Sequence, residues 1–146
     1  MLIVNKRLLF DYNVHQTFEA GIVLTGCEVK SIRKNHVGIV DCYVSIKGRE
    51  AWLLNWNIPK YEQAFKDDNY DPKRPRRLLL KHTETARIAG MIKRDGYTIV
   101  VGKLYENKRG FFKMELALVT GKKKYDKRQY LREKDERREI RMKFKD

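Results

Sequence analysis

Residues 10–24 allow few folds. Tyr12, Val14, Phe18, Ala20, Ile22 and Leu24 all fall on even positions, with Asn13, His15, Thr17 and Glu19 between them. A strand sends alternate side chains to opposite faces, so this spacing predicts a long first strand with one buried and one wet face. Gly21 within it marks a bend of the kind that barrel strands need. The same alternation returns at residues 110–119, where Phe112, Met114, Leu116 and Leu118 interleave with Lys113, Glu115 and Ala117. A strand over residues 97–105 precedes it, and a turn at Glu106-Asn107-Lys108-Arg109 joins the two.

Between these strands the period changes twice. Leu24, Cys27, Val29 and Ile32 lie on one side of a helix predicted over residues 25–35, with Thr25 as its cap. A hairpin over residues 39–46 and 51–56 follows, turning at Lys47-Gly48-Arg49-Glu50. Pro59 ends its second strand, because proline cannot donate to a ladder. Residues 60–75 read as a long polar loop. Leu78-Leu79-Leu80 enters a buried segment, and a second helix over residues 84–94 is capped by Thr83 and ended by Asp95-Gly96. The sum is a mainly β chain of about six strands and two short helices. A closed antiparallel barrel of the OB type accommodates it without exposed edges, with a sandwich as the alternative.

At Gly121 the chain changes character. Residues 1–120 are expected to form the barrel, and residues 121–146 a basic arm. The 146 residues carry 33 Lys and Arg against 19 Asp and Glu, a net charge of +14. So large an excess repels itself unless a polyanion relieves it, which points to nucleic acid ahead of an anionic membrane surface. The arm is rich in good helix formers, with no Gly or Pro beyond Gly121, and Glu133 precedes Arg137 by the favourable four residues. It has no apolar stripe, so it is expected to be disordered when free and helical on a polyanion.

Catalytic chemistry finds little support. No phosphate loop, nucleophile elbow or zinc-protease motif occurs. His15, His36 and His82 are scattered, and Cys27 and Cys42 fit neither a zinc spacing nor a disulfide framework, so a reducing cytosol is expected. Asp67, Asp68 and Asp71 leave a metal-dependent nuclease as the alternative from another class, but they lie in a lysine-rich loop. No apolar run is long enough to span a membrane, and the first seven residues are too polar for a secretion signal. Binding signals are stronger. Pro72-Lys73-Arg74-Pro75-Arg76-Arg77 packs four cations into six residues, Lys6, Arg7, Lys30 and Arg33 add more, and Tyr43, Trp56 and Tyr61 are candidates to stack on unpaired bases or to fill the core.

Six blocks in order resemble the SmpB family, the SsrA-binding proteins that partner tmRNA. They are Asn5-Lys6-Arg7; Phe18 to Leu24 with Gly26 and Glu28 to Arg33; Asp41 with Tyr43-Val44; Asp71-Pro72 with Arg74 and Arg76 to Leu80; Gly96-Tyr97-Thr98; and Gly121-Lys122-Lys123 with Asp126-Lys127-Arg128. The resemblance implies an OB-type barrel holding the tRNA-like domain of tmRNA, largely at its D-loop region. It implies delivery to a stalled ribosome, with the arm in the decoding site and the empty mRNA channel, alongside elongation factor Tu and alanyl-tmRNA. It implies a cytoplasmic monomer that needs no cofactor and catalyses nothing. By matching position it assigns Asn5, Arg7, Glu28, Lys30, Arg74, Arg76 and Arg77 to tmRNA. It assigns Gly121, Lys122, Lys123, Tyr125, Asp126, Lys127 and Arg128 to the ribosome, with Asp126 also read as a helix cap. Two departures stand out. Tyr125 takes a position where the family often has histidine, and the body begins within a few residues of Met1 where many relatives carry a basic extension. A general RNA chaperone or another ribosome-associated role also fits the charge.

Overall fold

The computed structural model describes residues 1–35, 37–61, 69–122 and 124–143. Among these residues are seven strands and four helices. They run β1 (Leu2–Val4), α1 (Leu8–Asp11), β2 (Tyr12–Ile22), α2 (Gly26–Asn35), β3 (Tyr43–Lys47), β4 (Glu50–Leu54), β5 (Arg76–Leu79), α3 (His82–Asp95), β6 (Thr98–Glu106), β7 (Phe112–Gly121) and α4 (Lys124–Lys143). This is a mixed α and β architecture rather than a mainly β one. Every pairing is antiparallel. The strand order β1-β6-β3-β4-β5-β2-β7 returns on itself through β6–β7, so six strands form a ring. β1 lies outside the ring, on the stretch of the β6 edge beyond the point where β3 pairs.

The ring encloses Phe18, Val44, Leu53, Leu78, Ile99, Val101, Leu104, Met114, Leu116 and Leu118, all buried. Ile32 of α2 and Ile88 of α3 pack on the same cluster. Each buried Leu or Ile contributes about 1.5–3 kcal/mol relative to an exposed one, so this cluster dominates the stability of the body.

Bulges interrupt the alternation that marks the strands. On β2 the register slips between Val14 and Gln16, so Val14 lies opposite Val119 and Phe18 opposite Leu116. The even-numbered residues therefore divide. Phe18 and Ala20 enter the main core, whereas Tyr12 and Val14 face a smaller outer cluster with Val100, Ala117 and Val119. One extra residue reverses the facing of everything on its far side. The prediction of a single buried face along β2 is corrected by this bulge. A matching slip on β6 falls between Val101 and Lys103, at Gly102.

Local signals set most element ends. Thr25 caps α2 as expected: the Glu28 N–H donates to Thr25 Oγ1 (3.3 Å), and the Thr25 N–H donates to Glu28 Oε1 (2.9 Å). That reciprocal pair satisfies two donors that a helix start leaves open. The cap of α3 is Lys81 rather than Thr83, with the Lys81 N–H donating to Glu84 Oε1 (3.3 Å). Gly96 ends α3 at φ +67°, a conformation natural to glycine. The expected 39–46 strand is shorter, starting at Tyr43. β1 and α1 were not anticipated.

The arm differs most from expectation. α4 runs for 20 residues, from Lys124 to Lys143, so a C-terminal helix stands where an arm without order was expected. Its root packs on α1, supplying an anchor that the absence of an apolar stripe seemed to exclude. Asp126 lies within the first turn of α4 rather than before it, so it does not occupy the cap position. Gly121 is the last residue of β7, paired with Tyr12. No described helix is long and apolar enough to cross a membrane.

Candidate RNA interface

The cations singled out in the sequence separate to the two ends of β2. That strand spans 11 residues, so its ends lie up to roughly 33 Å apart along the chain. α2 follows the Ile22 end and β5 pairs beside it at Gly21 and Ile22. α1 and the root of the arm meet the Tyr12 end.

At the Ile22 end the centre is a buried ion cluster. Glu28 is 1% exposed and Arg76 is 0%. Arg76 Nε donates to Glu28 Oε2 (2.6 Å), and the remaining guanidinium nitrogens donate to the backbone oxygens of Trp56 (2.5 Å) and Pro72 (3.0 Å). Arg74 donates to Glu28 Oε1 (2.6 Å). Burial alone would push the Glu28 carboxyl up, but hydrogen bonds from Arg74, the Thr25 backbone and Arg76 hold it below the usual carboxylate range. One carboxylate thus ties together α2, β5 and the segments carrying Trp56 and Pro72. The Tyr70 hydroxyl adds to this by donating to the Ile58 oxygen (2.7 Å). Of the residues expected to contact RNA, the structure thus places Glu28 and Arg76 almost wholly inside the fold.

Beside this clamp, Lys30 and Arg74 share a cleft with Asp71. The cleft, of about 350 Å³, is also lined by Thr25, Cys27, Glu28 and Tyr70. Lys30 is exposed, with its ammonium 5.8 Å from the Tyr61 ring centroid. Lys34 lies 5.9 Å from the same ring. Arg77 is on the outside of β5, half exposed, 3.3 Å from Glu50. Of the aromatic candidates, Trp56 is core at 1% exposure under the Arg76 guanidinium. Tyr43 is exposed beside a larger cleft of about 620 Å³ that includes Ile46, Ala89 and Lys93. Cys42 is buried, and desolvation pushes its thiol up to about 12, so it serves as a core side chain.

The Tyr12 end is built differently. Asn5 is buried and makes three bonds: its N–H to Gly102 O (2.8 Å), its Nδ2 to Val101 O (3.1 Å), and its Oδ1 accepting from the Arg7 N–H (3.1 Å). Asn5 thereby supplies donors to two carbonyls at the β6 bulge. Asn5 is thus a structural anchor for the segment that leads into α1. Gly102 admits that segment closely, since a Cβ there would lie 3.4 Å from Leu8. Arg7 is exposed and contacts Asp11 (3.3 Å) and the Phe10 ring (5.6 Å). It therefore belongs with the arm and not with Lys30. Lys122 and Lys127 reach the same spot, and Arg128 is exposed beside them. Lys123 lies outside the described residues, as do Asp67 and Asp68. Tyr125 and Asp126 are placed only as backbone positions of α4.

Two residues here escaped the sequence reading: Phe10 and Asp11. The four-residue spacing of Arg7 and Asp11 is a helical signal that could have revealed α1. Among the described residues no cluster of His, Cys, Asp and Glu suits a metal ion.

Comparison with known proteins assigns the chain. The SsrA-binding protein of Thermosipho africanus is 44% identical over 140 residues, covering 96% of this chain and 93% of its own. That of Chelativorans sp. is 46% identical, over 92% and 86% of the two chains. A solved structure described as "tmRNA-SmpB: a journey to the center of the bacterial ribosome" contains a chain that is 39% identical, with a TM-score of 0.68 over 84% of this chain and 85% of that one. The SmpB protein model matches residues 2–146, and on these grounds the chain belongs to the SmpB family.

Proposed function

We propose that the chain binds the tRNA-like domain of tmRNA and delivers it to ribosomes stalled without a codon. The ring of six strands acts as an OB-type barrel, with residues 1–120 as the tmRNA-binding body and residues 121–146 as the ribosome-facing arm. Lys30, Arg74 and Arg77 meet tmRNA phosphates at the Ile22 end, and Glu28 and Arg76 hold that surface in shape. Arg7, Lys122, Lys127 and Arg128 face ribosomal RNA at the other end, with Tyr125 set to stack on a base of the decoding site. α4 then follows the empty mRNA channel, whose walls are phosphate. The chain supplies binding and geometry, not catalysis. Elongation factor Tu carrying alanyl-tmRNA joins the same complex, in the cytoplasm, with one copy of this chain.

The observation that carries this reading is the separation of charge. Two cationic surfaces stand at opposite ends of one strand, in a member of the SmpB family. A single RNA contact does not require both. The relatives' name, SsrA-binding protein, supplies the RNA, and the neighbouring structure supplies the ribosome.

The test is truncation. A chain ending at Lys122 keeps β7 intact. It should bind tmRNA within about threefold of the full chain, as few phosphate contacts are removed, and should not support tagging on stalled ribosomes. Loss of tmRNA binding on truncation would refute the division of labour.

A further inference from the structure

We infer that a groove between α3 and the β3–β4 hairpin takes an unpaired stretch of the bound tmRNA. The inference rests on the tmRNA-binding reading and extends it to a part of the body that neither end of β2 includes. Two clefts make the groove. One, of about 340 Å³, is lined by Gly48, Arg49, His82, Thr85, Ala86 and Ala89. The other, of about 620 Å³, shares Gly48 and Ala89 and continues to Tyr43, Ile46 and Lys93. On α3 the lining residues His82, Ala86, Ala89 and Lys93 follow one another at helical spacing, so they form one side of the helix. From His82 to Lys93 that side runs about 16 Å.

Both ends of the groove offer donors, and its middle is apolar. Arg49 and the His82 imidazole stand at one end and Lys93 at the other, all exposed. None of the three has an ion-pair or hydrogen-bond partner among the described residues. No acidic side chain lines either cleft. Glu84, in the first turn of α3, is engaged by the Lys81 N–H. Ala86, Ala89 and Gly90 keep the floor shallow, and Tyr43 at its edge is 44% exposed. A single RNA strand has the matching pattern, with phosphates along one side and flat base faces on the other. A paired helix turns those faces inward, so only unpaired nucleotides reach the floor and the ring. An amphipathic peptide would also suit an apolar floor, but two unpaired cations and no lining acid favour a polyanion.

Continuity with Arg77 selects tmRNA as the occupant. Arg77 lies 3.3 Å from Glu50, the residue after Arg49, and is paired across the sheet with Trp52 of β4. Only Leu80 and Lys81 separate β5 from α3, so His82 follows closely on the strand that carries Arg77. A strand of RNA held by Arg77 on the outside of β5 therefore meets Arg49 and His82 next, and passes along α3 to Lys93. Arg49 and Lys93 take phosphates in this scheme, and Tyr43 takes the face of a base.

The experiment uses the full chain with a short oligoadenylate RNA as the unpaired probe, and tmRNA binding and tagging on stalled ribosomes are measured alongside. The probe should shift the amide resonances of Gly48, Arg49, Ala89 and Lys93 in the wild-type chain. Ala89→Glu, which sets a carboxylate on the floor, should lose those shifts. Arg49→Ala with Lys93→Ala should weaken tmRNA binding about tenfold and flatten its salt dependence by about one to two units of slope. Tyr43→Ala should weaken it about fivefold or more, whereas Tyr43→Phe should bind as the wild type does, because stacking needs the ring and not the hydroxyl. If Tyr43→Ala or Ala89→Glu fails to fold, the exposed pair Arg49 and Lys93 still decides the matter. Probe shifts confined to Lys30, Arg74 and Arg77 overturn the groove, and so does full tmRNA affinity in the chain lacking both Arg49 and Lys93. Full tmRNA affinity with tagging lost overturns it as well, since the groove would then belong to the ribosome. A wild-type chain that binds tmRNA no better than an unrelated folded RNA would instead sink the tmRNA reading, and the probe shifts would still show whether the groove takes unpaired RNA.

Discussion

The two ends of β2 use charge in opposite ways. At the Ile22 end, Glu28 and Arg76 are buried and saturated with hydrogen bonds, and their charge organises the fold. At the Tyr12 end, Lys122 and Lys127 lie on rings and beside a partly exposed carboxylate, and their charge remains available to a partner. A buried pair costs much desolvation, so its loss leaves an unpaired charge in the interior. An exposed pair is solvated either way and contributes little. Net charge counts both alike, but only the second kind can be traded for phosphate.

The sharpest way to break this contrast is to remove half of the buried pair. Arg76→Ala should lower the unfolding free energy by about 3–5 kcal/mol, because it strands Glu28 in the interior. Denaturant unfolding measures it, and a loss below about 1 kcal/mol would place the pair with the surface kind. Asn5→Ala comes next, at about 1–3 kcal/mol, since the Val101 carbonyl and the Arg7 N–H lose their side-chain partner. The acid limb of stability sharpens the same point. The Glu28 carboxyl titrates lower in the folded chain than in the unfolded one. Its contribution is complete above the unfolded value of about 4.3 and is lost as pH falls through the folded value. The stability gap between the wild type and Glu28→Gln should therefore shrink as pH drops below about 4, and a gap that stays constant would speak against it. The smallest effect belongs to the arm. Lys122→Ala with Lys127→Ala should change the unfolding free energy by less than about 1 kcal/mol.

Much of the architecture was legible because periodicity reports burial. The alternation at β7 placed Phe112, Met114, Leu116 and Leu118 in the core, and the Thr25 cap gave the start of α2. Bulges were not legible. The residues of β2 keep their even spacing straight through the slip at His15, so sequence alone cannot tell that Val14 and Phe18 face different clusters. The site was half legible for a related reason. Lys30, Arg74 and Arg77 were singled out by cation density, but Glu28 and Arg76 look equally charged on paper, and only their hydrogen bonds and burial set them apart. Arg7 was grouped with Lys30 because block order in a sequence carries no distance. The arm's helix was expected only on a partner because its stability was sought in a stripe along its length, whereas Lys127 and Tyr130 near its start touch α1.

The central claim is that the two ends of β2 serve two different RNAs. Its most direct test compares Lys30→Ala with Arg77→Ala at one end against Lys122→Ala with Lys127→Ala at the other, measuring tmRNA affinity and tagging in the same preparations. The first pair should weaken tmRNA binding by about tenfold or more at moderate salt and flatten its salt dependence by one to two units of slope. The second pair should leave tmRNA affinity within about twofold and still abolish tagging. Equal losses of tmRNA affinity from both pairs would contradict the account, since they would make the two ends one continuous tmRNA surface.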